Sequence, residues 1–158
     1  MRQGQPWCTA EEIEEKVAAR LSRQSLLEKS RPALLWVVLD ESVIRRPVGG
    51  PGVMREQLAF VLHAADTPYI EVQMLPFAAG AHSAMGDSLT LLSFGNAPDV
   101  AYLEAWHSGE LVEDRVMVAR HSHRYDLVHA RALPPEASAA LIRRVMKEYE
   151  TCAAPDPT

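Results

Sequence analysis

LLWVVLDESVIRRPVGGPGVM, residues 34–54, decides the architecture. Leu34 to Leu39 is an unbroken apolar run of strand length, with no alternation that would mark a solvent face, so it predicts a buried strand. The loop from Pro47 to Gly52 holds three glycines and two prolines. Pro51 suits the first turn of a following helix, where a missing N–H has no intrahelical partner to lose. Met54, Leu58, Val61, Leu62 and Ala65 then recur at helical spacing, giving a helix that ends near Asp66. Pro68 follows, and Tyr69 to Leu75 predicts a second strand. Strand, helix and strand in this order form a β-α-β unit, whose two strands run parallel through a right-handed crossover.

Working outward, Thr9-Ala-Glu-Glu12 is a capping box, and Ile13, Val17 and Leu21 give the helix behind it one apolar stripe to about Lys29. Downstream, the small-residue loop Pro76 to Ser88 is long enough to be functional. Leu89–Phe94 and Val100–Trp106 predict two strands joined by a hairpin-like link at Gly95–Asp99. A short apolar piece at Leu111-Val112 precedes a helix from its N-cap Asp114 to about Leu133. Pro134-Pro135 interrupts, and a last helix carries Leu141, Ile142, Val145, Met146 and Tyr149. The fold class is therefore α/β: a mixed sheet of four or so strands, parallel at the first pair and antiparallel at the hairpin, covered by helices. Residues 9–150 read as one domain, with a disordered lead at 1–8 and a disordered tail at 151–158.

Composition narrows the function. The 158 residues carry a formal net charge of −5, which argues against the broad basic face that phosphate neutralisation demands, so no direct nucleic-acid partner is expected. Two cysteines at opposite ends, with no metal-ligand spacing, read as reduced thiols in a cytoplasmic protein. No apolar run reaches the length of a signal h-region or a membrane span, so no membrane partner is expected.

Four stretches could carry chemistry. Continued as a strand, Asp40–Arg46 would alternate Glu41, Val43 and Arg45 on one face with Ser42, Ile44 and Arg46 on the other. It lies at the carboxyl end of a strand, where open α/β sheets bind ligands, and Arg45 or Arg46 could meet an anion there. The plainer reading pairs these arginines with Asp40 or Glu41. The pattern G-x-x-x-x-G-K-[ST] is absent. His82, in the small-residue loop, suits an acid or base, but Ser83 and Ser88 lack a nucleophile elbow, and a loop-stabilising or exposed histidine is the simpler alternative. Glu104 shares a strand face with Tyr102 and Trp106, and with Glu71 it could form a carboxylate pair; a solvated face is the alternative. In HSHRYDLVH, residues 121–129, helical geometry puts His121 and His123 about 200° apart and His121 and His129 about 12 Å apart. No metal is expected, and His123 and Leu127 read as partly buried packing residues.

The stretches WVVLDESVIRRPVGG (36–50), VQMLPFAAGAH (72–82) and VAYLEAWHSGELVED (100–114) resemble, in order and spacing, the C-terminal domain of actinobacterial antitoxin-like regulators. There the domain follows an Xre-type helix-turn-helix, and the likeness runs from about Glu11 to Tyr149. The resemblance implies a regulatory or ligand-sensing module that works with a partner protein. Only MRQGQPWC precedes the capping-box helix here, so the chain is expected not to bind DNA by itself.

The leading expectation is a cofactor-independent regulatory module with a small-molecule pocket lined by Trp36, Glu41, Arg45, Arg46, His82, Glu104 and Trp106. Arginines would hold an anionic group and tryptophans would form apolar walls. The second is a stand-alone enzyme of cyclase or isomerase type in secondary metabolism, using Glu41, Glu71, Glu104 or His82. The third is a protein-interaction module, a homodimer or a partner of a helix-turn-helix protein, presenting its first and last helices.

Overall fold

The structure, a computed structural model, describes residues 8–27, 29, 32–86, 88–104 and 108–152. Trp106 and most of the expected lead and tail lie outside these residues. The elements are α1 (Ala10–Ser22), β1 (Leu35–Asp40), α2 (Glu41–Arg45), α3 (Pro51–Ala65), β2 (Ile70–Leu75), β3 (Ser88–Leu92), β4 (Val100–Glu104), β5 (Gly109–Val112), α4 (Arg115–His129) and α5 (Pro135–Cys152). β1 and β2 form a parallel two-stranded sheet, and β3-β4-β5 an antiparallel three-stranded one. The α/β class, the parallel first pair and the antiparallel hairpin thus hold, with the strands divided between two sheets. β1 is not the buried strand its apolar run predicted, since Leu35 and Trp36 are exposed and the rest of it is half-buried. Among the described residues no helix is long and apolar enough to cross a membrane.

The chain divides into two compact units. The first comprises the described residues of Met1–Val37, Pro47–Glu71 and Ile142–Thr158. Its α1 starts at the Thr9 capping box: Thr9 Oγ1 accepts from the Glu12 amide, and Glu12 Oε2 accepts from the Thr9 amide. The helix stops at Ser22, earlier than its apolar stripe suggested, and a 3-10 turn spans Arg23–Leu26. The hydroxyls of Ser22 and Ser25 donate back to the carbonyls of Ala19 and Ser22, a local bonding that competes with helix continuation. Pro51 opens α3 as expected, after Gly49 and Gly50 at φ values of 77° and 94°. Those backbone angles favour glycine and let the loop reverse into the helix. Met54 and Leu58 on α3, and Ile142 and Val145 on α5, are buried in this unit.

The second unit comprises Val38–Arg46 and Val72–Leu141. Ala101, Val112 and Val118 form a core cluster, with Leu89, Leu91 and Leu103 packed against it. This joins the inner face of the three-stranded sheet to α4, whose N-cap is Asp114 as expected. In the β3–β4 register Leu89 faces Leu103 and Leu91 faces Ala101, so alternate residues turn inward. β3 ends at Leu92 rather than Phe94, and the Phe94 amide instead donates to Asp99 Oδ1 at 3.4 Å across the hairpin link.

α4 likewise ends at His129, short of Leu133, because Leu133 is used elsewhere. Its amide donates to the Met74 carbonyl at 2.8 Å, while the Ser138 hydroxyl accepts from the Met74 amide at 2.8 Å. The same hydroxyl donates to the Leu133 carbonyl at 3.0 Å, and Gln73 Nε2 donates to it at 2.9 Å. Ser138 is wholly buried. It and Leu133 give β2 hydrogen-bond partners that a two-stranded sheet would lack, which protects the strand from edge pairing.

Candidate functional site

The segment read as a strand through Arg46 turns into a helix at Glu41, so the expected face alternation does not hold. Asp40 is the N-cap of α2, its carboxylate accepting from the Ser42 amide at 2.8 Å. Glu41 and Ile44 are both buried, the three-residue spacing of one helix face. Glu41 Oε1 accepts from Arg45 Nε at 2.6 Å, and Oε2 accepts from the Phe77 amide at 2.8 Å. Glu41 is only 7% exposed, so this carboxyl is enclosed with both oxygens engaged. Arg45 is accordingly held by Glu41, the pairing foreseen as its plainer reading, and Arg46 is the exposed C-cap of α2.

The Phe77 amide lies in the loop after β2, and this loop is tied down along its length. A 3-10 turn covers Phe77–Ala79, and Gly80 follows at φ 68°, ψ −153°, a backbone that side chains disfavour. Arg131 Nη2 donates to the Ala79 carbonyl and Nη1 to the Ala81 carbonyl, the latter at 2.8 Å. Arg124 Nε donates to the Ser83 carbonyl at 2.6 Å. Arg124 lies on α4 and Arg131 in the turn just after it, and both reach carbonyls of this loop. His82 Nε2 lies 3.3 Å from Asp40 Oδ2. The loops leaving the carboxyl ends of the two parallel strands are thus fastened together by Glu41–Phe77 and Asp40–His82.

The His82 side chain is only 9% exposed. In the tautomer with Nε2–H facing Asp40, Nδ1 is the ring's acceptor. That Nδ1 is buried and has no hydrogen-bond partner among the described residues. His82 borders a cleft of about 390 Å³ whose other lining residues are Ala81, Ser83, Leu127, Val128 and Arg131. The site is therefore an oriented imidazole and a guanidinium set around an aliphatic floor.

Burial pushes the Asp40 carboxyl up, but the hydroxyl and amide of Ser42 and the His82 imidazole outweigh it and leave it below its ordinary value of 3.8. A group lowered in the folded state stabilises fully above its unfolded value and loses that contribution as pH falls through the folded one. Asp40→Asn keeps the cap acceptor and removes the charge. The variant is expected to melt slightly below the parent at neutral pH, by about 0.5 kcal/mol of stability, since a side chain 34% exposed is screened by solvent. The gap should close as pH drops below 3.8. Thermal melts of both proteins across pH 2–7 check this, and a gap that widens in acid would reverse the sign.

The other expected site residues lie elsewhere. Trp36 and Glu71 belong to the first unit and are exposed, Trp36 at 64%. Glu104 is exposed, on the face of the three-stranded sheet that it shares with Tyr102. Neither Glu71 nor Glu104 lines the cleft. His123 and Leu127 are exposed rather than partly buried, Leu127 at 51%. The Tyr125 ring sits between His121 and His129 along α4, stacked on His129 with centroids 5.7 Å apart. Sequence reasoning named His82 and Glu41 but missed Arg131, whose contacts lie 50 and 52 positions away.

These features define an α/β domain with a small cleft between α4 and the loop that follows its second parallel strand. Residues 1–144 match the family described as Domain of unknown function (DUF5753), and the chain belongs to that family. No curated protein matches the chain, and no solved structure does.

Proposed function

We propose that this domain is a cytoplasmic regulatory module that binds a small molecule in the cleft beside His82, as the effector domain of an antitoxin-like transcriptional regulator. The observation that carries this reading is the His82 imidazole. It is nine-tenths buried at the cleft wall, oriented by Asp40, with a second nitrogen that no described residue satisfies. An unsatisfied buried acceptor costs about 1–3 kcal/mol, and a ligand donor would recover that loss. The position also suits binding, since loops at the carboxyl ends of parallel strands are where open α/β sheets take ligands. Regulation would follow because ligand contacts bear on a loop tied to both α2 and α4.

A thermal-shift screen of purified protein against a library of small metabolites tests the reading. A ligand at a hundredfold excess over its Kd adds about 2.7 kcal/mol, which raises the melting temperature by roughly 5–10 °C. The shift should fall by at least half in His82→Ala. Shifts unaffected by His82→Ala would place binding elsewhere, and no shift across the library would count against the module.

The imidazole also supports a second reading, acid/base catalysis of cyclase or isomerase type. Both oxygens of Glu41 are engaged, while Glu71 and Glu104 are exposed, so His82 would bear the chemistry alone. Turnover of a bound metabolite, lost in His82→Ala, would favour this enzyme. Binding without turnover, together with co-purification of a helix-turn-helix protein, would favour the regulator.

A further inference from the structure

We infer that the cleft takes a small organic anion, a carboxylate on a compact apolar body, with Arg131 meeting its charge; this rests on the binding reading above and specifies its ligand. Among the described residues that line the cleft, Arg131 is the one arginine or lysine, and none is acidic. The partners of Arg131 are the carbonyls of Ala79 and Ala81, which are neutral. Among the described residues no carboxylate pairs with it, so a full positive charge borders the cleft in a chain whose net charge is −5. A planar guanidinium whose outer nitrogens are already fixed by carbonyls is pre-organised for a carboxylate, because little side-chain entropy remains to be lost.

The rest of the lining limits the body of the ligand. Leu127 and Val128 are aliphatic and Ala81 is small, so most of what a ligand would cover is apolar. Leu127 is about half exposed, and covering it would remove apolar surface from water. A volume of about 390 Å³ lies near the small end of ligand pockets. The other polar groups are the Ser83 hydroxyl, which donates to the Arg124 carbonyl at 3.5 Å, and His82 Nδ1, an acceptor when the ring is neutral. A hydroxyl next to the carboxylate would supply the donor that this nitrogen lacks.

The probes are benzoate, 2-hydroxybenzoate and benzamide, titrated calorimetrically into the full chain. Benzoate is expected to bind at least tenfold more tightly than neutral benzamide, and 2-hydroxybenzoate more tightly than benzoate. Arg131→Gln should lower benzoate affinity at least tenfold while leaving benzamide within twofold. Arg131→Lys, which keeps the charge but not the fork, should recover part of the loss. This separates charge recognition from displacement of the Ala79–Ser83 loop. The preference for the hydroxylated acid should vanish in His82→Phe. Equal affinities for benzoate and benzamide would overturn the anion inference while leaving the binding module intact. Failure of both carboxylates to bind would also overturn it, and the metabolite screen would then judge the module separately.

Discussion

Met74→Ala is expected to lower stability by about 3 kcal/mol, because removing a wholly buried thioether leaves a cavity as well as a lost transfer term. The backbone around it has little freedom to close the gap. The Met74 amide is bound to the Ser138 hydroxyl and its carbonyl to the Leu133 amide, both at 2.8 Å. β2 therefore cannot move toward the void without breaking hydrogen bonds on buried groups. For a domain of this size the melting temperature should fall by roughly 10 °C. Met74→Leu nearly conserves volume and should cost less than about 1.5 kcal/mol. Chemical denaturation of both variants checks the pair. Equal losses for leucine and alanine would mean that shape at this site matters more than filled volume.

Glu41→Ala should cost about 2 kcal/mol. Breaking an enclosed ion pair by deleting one partner typically costs roughly 3–5 kcal/mol. Arg45 is about a third exposed, so water re-solvates it and the lower figure applies. The deletion also strips the Phe77 amide of its acceptor. Its effect should extend beyond stability, because that contact ties α2 to the start of the cleft loop. Amide exchange across Phe77–Ser83 is expected to speed up at least tenfold in the variant, well ahead of exchange in β3 and β4. Glu41→Gln keeps a neutral acceptor and should cost about half as much. Loop exchange unchanged in Glu41→Ala would remove Glu41 from the account of how the loop is held.

Much of this architecture was legible because it is local. The Thr9 capping box, Pro51 at the start of α3 and Asp114 ahead of α4 are signals spanning a few residues, and each helix begins where they put it. The parallel pairing of β1 and β2 followed from two apolar runs separated by a helix. α2 was missed although its signals were present. Asp40 is a good N-cap, Glu41 suits a helix first turn, and Glu41 with Arg45 has i,i+4 spacing. The apolar momentum of Leu34–Leu39 suggested an extended chain beyond the point where the cap ends it. The division of strands between two sheets was not legible, because pairing partners are set by tertiary packing.

The candidate site divides in the same way. His82 was singled out from local context, as a histidine in a loop after a strand end. Glu41 and Arg45 were singled out likewise, but they pair with each other and do not line the cleft. Arg131 carries no local signal, as an arginine in the last turns of a helix reads as an ordinary favourable charge near a C-terminus. Its meaning comes from loop carbonyls distant in the chain. Trp36 and Glu71 were grouped with His82 by their proximity to strands. They sit toward the opposite ends of those strands, in the first unit.

The place where a ligand enters is the most direct test of the cleft. Methyl- and imidazole-resolved NMR spectra of the full chain, titrated with compounds from the thermal-shift screen, report that position. Perturbations concentrated at the methyls of Leu127 and Val128 and at the His82 ring are predicted. Perturbations gathered instead at Trp36 and Tyr69, or absent from all of these positions for compounds that raise the melting temperature, would contradict it.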